Sequence, residues 1–412
     1  MASSSAASKP SVGILSIGDM GMGVAKLLLA YGYEVMTVSA GRRQAGIFGL
    51  RQHTKDRIRL AKITDLDSDE ELVAQADIIL SIVPPRDALA TARRVAEACK
   101  TAGQARKDRK GTKSNDVIFI DLNAISPRTV AKIFVLFNAV PDVVSPPPTP
   151  SLARRLTRTL SLAGQQLASD SGSETPPPPP ITIKFLDGGI IGSPPSQEKN
   201  KDKANDNSAS SSTSTTTASD QASTWKRPSI PLSGPHESLL PPDLLTTLNM
   251  RFVSSRIGTA SALKACFASL TKGFTALSIL SYTTAATCGV LPELKSHLDE
   301  HMPGLAQRAE AGMTGMPPKA YRWVDEMREI AKTFKSSGGM KFGGELFEQV
   351  AEVYRFVSED TVLGQERVGK RKRGTTVEDV AECVEEGVQR KMQKGHRKDE
   401  KLELAWRGSW GL

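Results

Sequence analysis

The chain has 412 residues, of which 39% are hydrophobic, and 54 basic against 45 acidic side chains give a formal net charge of +9. This length leaves room for two domains, and four cysteines without paired spacing exclude a disulfide framework and a cysteine-based zinc site. The five histidines show no metal-ligand spacing, the N-terminus has no signal-peptide core and no run reaches the ~18 apolar residues of a membrane span, so we expect a cytoplasmic protein without metal or membrane contacts.

A short apolar run followed by three glycines opens the predicted ordered sequence. Residues 12–17 (VGILSI) predict a strand and residues 24–30 (VAKLLLA) predict a helix. A glycine-rich turn in this context is typical of dinucleotide-binding sites, where the helix N-terminus faces a pyrophosphate. We interpret Gly18 as the tight turn, Gly21 as the backbone approach to phosphate and Gly23 as the contact of helix with strand, with Met20 standing where the second motif glycine belongs. The candidate cofactor-binding residues here are Gly18, Asp19, Met20, Gly21, Met22 and Gly23, and the alternative is a structural turn without a ligand.

The end of the second predicted strand, residues 34–38, indicates which nicotinamide cofactor is bound. NAD sites usually place Asp or Glu there to hold the ribose 2′-OH. This chain instead continues Ser39-Ala40-Gly41-Arg42-Arg43, with two guanidinium groups that suit a 2′-phosphate. We therefore predict NADP rather than NAD, bound with the help of Ser39, Arg42 and Arg43. The alternative is that the arginines only solvate a loop.

Composition divides the chain into two predicted domains. Residues 1–10 are expected to be disordered, and residues 11–257 form the first domain, interrupted by disordered insertions at about 141–180 and 196–228 that are rich in Pro and in Ser, respectively. Residues 258–412 are predicted to be all-helical with a basic tail. Further strands are predicted at 77–83, 117–121, 181–186 and 250–254, and helices at 88–100, 127–138, 261–280, 319–335, 344–357 and 376–391.

Three charged stretches also allow structural predictions. The acidic residues 65–71 are predicted to start a helix, and residues 104–114 are predicted to be an exposed basic loop. Residues 370–373 (KRKR) are either a solvated loop between helices or a nuclear-localisation or nucleic-acid patch. Because aromatic residues do not interleave with the basic runs, nucleic-acid binding is the weaker interpretation.

Four segments in this order, at 18–23, 121–127, 187–193 and 258–264, together resemble the β-hydroxyacid dehydrogenases, the superfamily of 3-hydroxyisobutyrate and 6-phosphogluconate dehydrogenases. The later runs GTASALKACFASLTKG and RWVDEMREIAKTF are similar to a subgroup with a phosphogluconate-dehydrogenase-type NAD-binding C-terminal domain. The resemblance covers most of residues 12–357 outside the insertions. It implies an α/β Rossmann-type N-terminal domain followed by an all-α C-terminal domain, and NAD(P)-dependent oxidation of a β-hydroxy acid or reduction of its carbonyl equivalent.

The resemblance also implies which residues act. Lys264, six positions after Gly258, matches the catalytic lysine of the superfamily, and Asn123 falls near the nicotinamide and the substrate. A lysine within ~3 Å of the reacting hydroxyl can take its proton if burial lowers its pKa from ~10.4 toward neutrality. The alternative for Lys264 is a surface lysine with an exposed amine. Val83 and Pro84 fall where the loop of the superfamily lines the cofactor.

Positions that depart from the superfamily pattern bear on the substrate. In the substrate loop Ile191, Gly192 and Ser193, Ile191 replaces a small polar residue and Ser193 the second glycine, which suggests a less polar pocket. Four residues after Lys264, Ala268 stands where an asparagine is usual.

A second departure concerns the sugar-acid enzymes of the superfamily. Thr271 stands where 6-phosphogluconate dehydrogenase has a glutamate, so a decarboxylating sugar-acid enzyme is not expected. Lys272 either binds a substrate anion or faces solvent.

Two functions of different classes remain. The first is an NADP-dependent oxidoreductase that acts on a small hydroxy acid or its keto or imine equivalent, with Lys264 as general acid/base. The second is a non-catalytic NADP-binding sensor or scaffold that uses its insertions for partners. The resemblance also implies a homodimer through the helical domain.

Overall fold

The structure is a computed structural model that describes residues 9–39, 55–107, 115–138, 181–197 and 225–409, without the side chains of 394–409. Several sequence predictions lie outside these residues. They are the predicted disorder of residues 1–8, the two arginines Arg42 and Arg43, the first insertion at 141–180 and residues 198–224 of the second insertion.

The N-terminal half is built around a sheet that is mostly parallel. Its strands and a separate short pair are β1 (Val12–Leu15), β2 (Val35–Val38), β3 (Thr64–Leu66), β4 (Ile78–Ser81), β5 (Asp116–Asp121), β6 (Thr182–Gly188), β7 (Ser196–Gln197), β8 (Trp225–Lys226), β9 (Ile230–Ser233) and β10 (Met250–Ser254). The described strands order as β10-β9-β6-β5-β4-β1-β2-β3. All neighbours are parallel except β6 and β9. Buried apolar side chains on β1, β4 and β5 account for the predicted strands, which are confirmed.

Helices cover the sheet as expected for a Rossmann-type domain. They are α1 (Asp19–Ala30), α2 (Asp69–Gln75), α3 (Ala88–Thr101), α4 (Gly103–Lys107), α5 (Pro127–Asn138) and α6 (Pro242–Leu248), and residues 55–60 are also helical. The acidic stretch at 65–71 starts a helix as predicted, although its first two residues, Asp65 and Leu66, belong to β3. Helix α2 starts only at Asp69, where the side chain of Ser68 accepts the backbone N–H of Glu71 and so fixes the N-cap.

The C-terminal half is helical, as predicted. Its helices are α7 (Thr259–Thr287), α8 (Leu291–His301), α9 (Pro303–Gly315), α10 (Ala320–Ser336), α11 (Lys341–Asp360) and α12 (Val377–Ser409). Their core includes Met327, Tyr354 and Met313, none of which has exposed surface. Strand β10 ends at Ser254 and α7 begins at Thr259, and the division between domains at 257/258 stays a prediction.

Helix α7 is long and apolar enough by composition to cross a membrane, which the sequence analysis did not anticipate. Within its apolar window 44% is buried in the fold. The helix packs against α9, α10, α11 and α12 and against the end of the sheet at β6 and β9. These contacts explain much of its apolar character, and the cytoplasmic location stays a prediction.

The ends of the second predicted insertion are ordered, in contrast to the expectation for residues 196–228. Strand β7 pairs with β8 in antiparallel register, with Ser196 opposite Lys226 and Gln197 opposite Trp225. The chain therefore leaves the fold and returns to it at adjacent points.

Two basic stretches are more ordered than predicted. Residues 103–107 form α4, and its Arg106 is 1% exposed and donates to the carbonyl oxygens of Val73 and Ala76. Burying a guanidinium is tolerated because its N–H groups are paired with carbonyls. In the second stretch Arg373 pairs with Asp379 at 2.6 Å, so this arginine belongs to the packing of α12. A nuclear-localisation role for residues 370–373 stays untested.

Candidate functional site

Most of the predicted site residues that the structure describes lie in segments that follow neighbouring strands, at one edge of the sheet. Strands β1, β4, β5 and β6 are neighbours and parallel, so the segments that follow them emerge on the same side. Neighbouring strands lie ~4.8 Å apart, which spreads these segments over roughly 14 Å. The chain order changes direction at β1, between β2 and β4, and such a switch point is where open α/β sheets bind ligands.

The glycine motif has a different register from the one predicted. Ser16, not Gly18, takes the left-handed backbone conformation, with φ 85°, whereas Gly18 has φ −71°. A left-handed conformation costs a non-glycine residue about 1–2 kcal/mol, and in the dinucleotide motif it belongs to the first glycine. The motif is therefore Ser16-x-Gly18-x-x-Gly21. Met20 does not replace a glycine. Its partly buried side chain packs against the hydrophobic core of the N-terminal half.

The three motif positions have distinct physical reasons. A Cβ on Gly18 would meet no atom within 4 Å, so the exposed backbone there is open to a ligand. A Cβ on Gly21 would lie 2.0 Å from the carbonyl oxygen of Ser16, so Gly21 allows the close contact of helix and turn that was assigned to Gly23. Gly23 instead faces Pro194 and Pro195, after the substrate loop. Met22 is buried, and Asp19 is exposed and pairs with Arg57 at 3.4 Å.

A carboxylate that the sequence analysis did not identify lies at the end of β2. The backbone N–H of Ser39 donates to Asp65 at 2.9 Å, and the Ser39 hydroxyl donates to it at 2.6 Å. Asp65 belongs to β3, so the residues that directly follow β2 in the sequence could not predict a carboxylate at this position. This carboxylate stands near the position where nicotinamide sites choose between a ribose hydroxyl and a phosphate.

Asn123 is held in a buried network and is 3% exposed. Its amide nitrogen donates to Ser81 at 3.0 Å and to Asp121 at 2.9 Å, and its amide oxygen accepts the backbone N–H of Val83 at 2.6 Å. Both N–H donors are thereby used within the protein. The arrangement fixes the start of the loop that contains Pro84. Burial raises the pKa of Asp121 to about 7, and the neighbouring Asp187 carboxylate adds to this shift.

Asp187 anchors the start of α7. Its carboxylate accepts the Ser233 hydroxyl at 2.8 Å and both the backbone N–H and the hydroxyl of Ser261, at 3.1 and 2.5 Å. The Ser233 hydroxyl also accepts the N–H of Ala260. Free N–H groups at a helix N-terminus need such acceptors, and here they are supplied by the sheet. The end of β6 thus sets the position of the helix that carries Lys264.

Lys264 lies against the substrate loop. Its Nζ donates to the carbonyl oxygen of Ile190 at 2.6 Å. A Cβ on Gly189 would lie 2.9 Å from the Cβ of Lys264, so glycine there permits this approach. Burial lowers the pKa of Lys264 to about 8. An appreciable fraction of the amine is then neutral near pH 7, as an acid/base group requires.

A small pocket lies beside Lys264. It is lined by Ala124, Ile125, Lys264, Ala265, Ala268, Glu326, Glu329 and Ile330. Its volume is about 10 Å³, enough for about one water molecule. Ala268, where the resemblance leads one to expect asparagine, contributes only a methyl group.

Lys272 does not face solvent, which was one of the two alternatives for it, and binding of a substrate anion stays a prediction. Its amine is in direct contact with Glu326, and it lies 5.0 Å from the centre of the Trp323 ring. The side chain is 15% exposed, so it does not face bulk solvent. Burial lowers the pKa of Lys272, and the positive charge of Lys264 adds to this effect. Glu326, which the sequence analysis missed, is the charge that compensates it.

The rest of the substrate loop is more open. Ile191 is partly buried and pairs with Ser229 through two backbone hydrogen bonds of 2.9 Å. Gly192 has φ 125°, a conformation that strains other residues, and Ser193 is exposed.

Glu329 joins the two halves of the protein. Its carboxylate accepts the N–H and the hydroxyl of Ser126, each at 2.8 Å, and the hydroxyl of Thr129 at 2.7 Å. Ser126, which directly precedes α5, is therefore bonded to a residue of α10. Lys332 pairs with the outer oxygen of Glu329 at 2.6 Å.

The expectation about histidine spacing was wrong. On α8, His297, Glu300 and His301 place potential metal-ligand atoms within 4.8 Å of one another. The four-residue spacing of the two histidines puts them on one helix face. All three side chains are exposed.

Comparisons with protein-family models match two parts of the chain. Residues 11–105 match the family described as NADP oxidoreductase coenzyme F420-dependent. Residues 285–357 match a domain of unknown function, DUF1932. No curated protein matches.

Solved structures share the two-domain fold. A conserved hypothetical protein from Sinorhizobium meliloti 1021 is 16% identical with a TM-score of 0.51, covering 92% of this chain and 97% of its own. A 3-hydroxyisobutyrate dehydrogenase from Mycobacterium tuberculosis, solved with L-serine, is 12% identical with a TM-score of 0.51, covering 91% and 99%. At this identity the likeness shows the fold, which confirms the predicted fold class.

Proposed function

We propose that the chain is a nicotinamide-dependent oxidoreductase of the β-hydroxyacid dehydrogenase type, acting on a small hydroxy acid or its carbonyl or imine equivalent; the family-model matches and the shared two-domain fold support this. The observation that carries this proposal is Lys264. Its amine is tied to the substrate loop at 2.6 Å, and burial lowers its pKa to about 8. An amine in this state can exchange a proton with a substrate oxygen near neutral pH.

The residues at the sheet edge have separate tasks in this proposal. The open backbone at Gly18 and the first turn of α1 hold the cofactor pyrophosphate. When bound, the nicotinamide supplies hydride chemistry. Lys264 takes the hydroxyl proton during oxidation and returns it during reduction. Asn123 acts as a positioning residue, because its hydrogen bonds hold the loop at Val83.

The substrate loop and Lys272 complete the assignment. The exposed Ser193 and the backbone around Ile191 and Gly192 orient the substrate carboxylate. Lys272 adds positive potential from behind Lys264, although Glu326 partly neutralises it.

We keep NADP as the proposed cofactor, with NAD as a second candidate. The match of residues 11–105 to a family described as an NADP oxidoreductase supports NADP. Asp65 favours NAD, because a carboxylate beside Ser39 repels a 2′-phosphate and can accept a ribose hydroxyl.

Fluorescence titration decides between the two cofactors. We expect NADPH to bind more tightly than NADH. Replacing both Arg42 and Arg43 with alanine is expected to weaken NADPH binding about 10- to 100-fold, the effect of losing one charge-assisted hydrogen bond of about 1.5–3 kcal/mol to the 2′-phosphate. Arg59→Ala, which removes an exposed arginine paired with Asp56, is the control and should leave binding unchanged. Tighter binding of NADH by the unmodified protein would reject NADP.

A non-catalytic NADP-binding sensor is the second candidate function. Ala268 contributes only a methyl group beside Lys264, where the resemblance leads one to expect asparagine, which favours a protein that binds cofactor without turning over a substrate. A panel of hydroxy acids including L-serine, followed by NADPH absorbance, separates the two. Cofactor binding without turnover of any panel member supports the sensor.

We also propose a homodimer through the helical domain. One face of α7 carries exposed apolar side chains at helical spacing, namely Leu263, Phe267, Leu270, Leu277 and Leu280, with exposures of 44–76%. Burying a leucine fully contributes about 1.5–3 kcal/mol, so a second copy would stabilise this face.

The mass of the protein in solution, measured by light scattering, tests this dimer. Leu270→Glu is expected to convert the dimer to a monomer, because it places a charge in the apolar contact. Leu60→Glu changes a similarly exposed leucine outside the helical domain and should preserve the dimer. A monomeric unmodified protein would contradict the proposal.

A further inference from the structure

One face of α10 carries charges that the proposed chemistry does not use. Arg322, Glu326 and Glu329 recur at spacings of four and three residues, which places them on one side of the helix, and Lys319 directly precedes the helix, three residues before Arg322. Glu326 contacts Lys272 on α7, and Glu329 bonds to the start of α5. This face is therefore directed at the sheet edge that holds the candidate site.

The acidic side chains of this face already have partners within the protein. Glu326 is paired with Lys272, while Glu329 accepts hydrogen bonds from Ser126 and Thr129 and pairs with Lys332. The cations nearer the N-terminus of α10 have no such partner: within the described part of the chain, neither Lys319 nor Arg322 forms a salt bridge.

The unpaired cations lie close to other charges of the same sign. Burial lowers the pKa of Lys319, and Arg322 and Arg371 lower it further, while Asp19 opposes the shift. Asp19 is the first residue of α1, in the glycine motif, and it is paired with Arg57. Asp325, three residues after Arg322, lies 3.9 Å from Arg86 in the segment that follows β4, and Glu326 contacts Lys272, so the N-terminal part of α10 lies against the candidate site.

Partly buried cations of like charge are unfavourable unless an anion lies among them. Lys319 and Arg322 are both partly buried. Repulsion between these cations destabilises the folded protein when no anion is bound, and binding of an anion would remove this destabilisation.

We propose that Lys319 and Arg322 form an anion subsite on the helical side of the cleft, which takes a phosphate or carboxylate group of the bound ligand. This subsite depends on the proposed function in one respect only, namely the identity of the molecule that carries the anionic group. The group belongs either to the cofactor pyrophosphate or to a second acidic group of the substrate. In both cases the helical domain contributes charge to a ligand held by the Rossmann-type domain.

Thermal unfolding in sulfate against chloride at equal ionic strength tests the subsite. Sulfate is expected to raise the unfolding temperature of the protein by about 2 °C more than chloride does. The double variant Lys319→Met/Arg322→Met should lose this difference, and in low salt it should unfold no lower than the unmodified protein because like-charge repulsion is removed. Arg308→Met removes an exposed charge elsewhere in the helical domain and should keep the difference.

A second pair of variants covers the case in which the double variant does not fold. Arg322→Lys keeps the charge and should retain most of the sulfate effect, whereas Arg322→Gln should lose it. No sulfate-specific stabilisation of the unmodified protein, or equal stabilisation of all variants, overturns the subsite.

The source of the anion follows from repeating the sulfate titration with saturating NADP. Competition between sulfate and NADP assigns the subsite to the pyrophosphate, and additive stabilisation assigns it to the substrate. Because sulfate binding needs no turnover, failure of the subsite is distinguishable from failure of the oxidoreductase proposal, which NADPH binding and the hydroxy-acid panel test separately.

Discussion

Replacing Lys264 with methionine is expected to lower kcat by about 10²- to 10⁴-fold, the usual contribution of a positioned acid/base group. Methionine keeps an unbranched stem of similar length beside Gly189, so the packing of α7 on β6 is preserved. NADPH affinity is expected to be unchanged, because the amine contacts the substrate loop and not the glycine motif. Steady-state kinetics together with fluorescence titration measure the two effects.

The pH profile gives an independent check on Lys264. In the direction of oxidation the neutral amine must accept a proton, so kcat/KM should rise as the pH passes through about 8. In the direction of reduction the ammonium must donate, so kcat/KM should fall above about 8. Lys341→Met removes a lysine that is 87% exposed and should change neither profile. Full activity in Lys264→Met would remove the lysine from the mechanism.

Replacing Glu329 with alanine is expected to lower the free energy of unfolding by about 2–4 kcal/mol. The substitution removes the acceptor of three hydrogen bonds and leaves the buried N–H of Ser126 without its partner. Because the bonded groups lie on different halves of the protein, α10 would also lose its fixed position against α5. Denaturant unfolding measures the change.

The sign of the pH dependence follows from the same contacts. Although burial acts to raise it, hydrogen bonds from Lys332, Ser126 and Thr129 hold the pKa of Glu329 below its usual value. The stabilisation is therefore complete above the unfolded pKa of ~4.3 and is lost as the pH falls through the lower folded value. Glu345→Ala breaks an exposed pair with Lys341 at 3.9 Å and should cost at most about 0.5 kcal/mol. An equally small loss for Glu329→Ala would show that the bridge is not stabilising.

Periodicity and apolar runs were sufficient for most of the fold. Residues such as Ile78 and Phe119 lie in continuous apolar strands, and their burial on both faces of the sheet produces that pattern. Strand β3 was missed because Thr64-Asp65-Leu66 is short and two of its three residues are exposed. The helices α8 and α9 were not predicted individually, since the helix-breaking residues around them are more evident in the sequence than their apolar faces.

The glycine motif could be found in the sequence, but not its register. A serine at position 16 does not predict a positive φ, because serine adopts that conformation only when its surroundings impose it. Three glycines offered two alignments, and the wrong one placed Met20 in the motif. The contact of Gly21 with the carbonyl of Ser16 decides the alignment.

Partners that are distant in the chain could not be predicted. Glu329 and Ser126 are 203 positions apart, and Asp187 and Ser261 are 74 apart. Helical spacing identifies the shared face of Arg322 and Glu326, but only the packing of α10 against the site shows what that face meets. Without homologous sequences, no single-chain pattern indicates such pairs.

The short ladder of β7 and β8 has a consequence for how this protein can change in length. Strands β7 and β8 hold residues 197 and 225 next to each other, so a connection of any length between them starts and ends at neighbouring points, and the entropy of closing a loop grows only slowly with its size. Excising residues 198–224 and joining the strands by a tight hairpin, or grafting a foreign domain there, is expected to leave the described fold intact. Evolution can lengthen or trim the protein at this point without redesigning the rest.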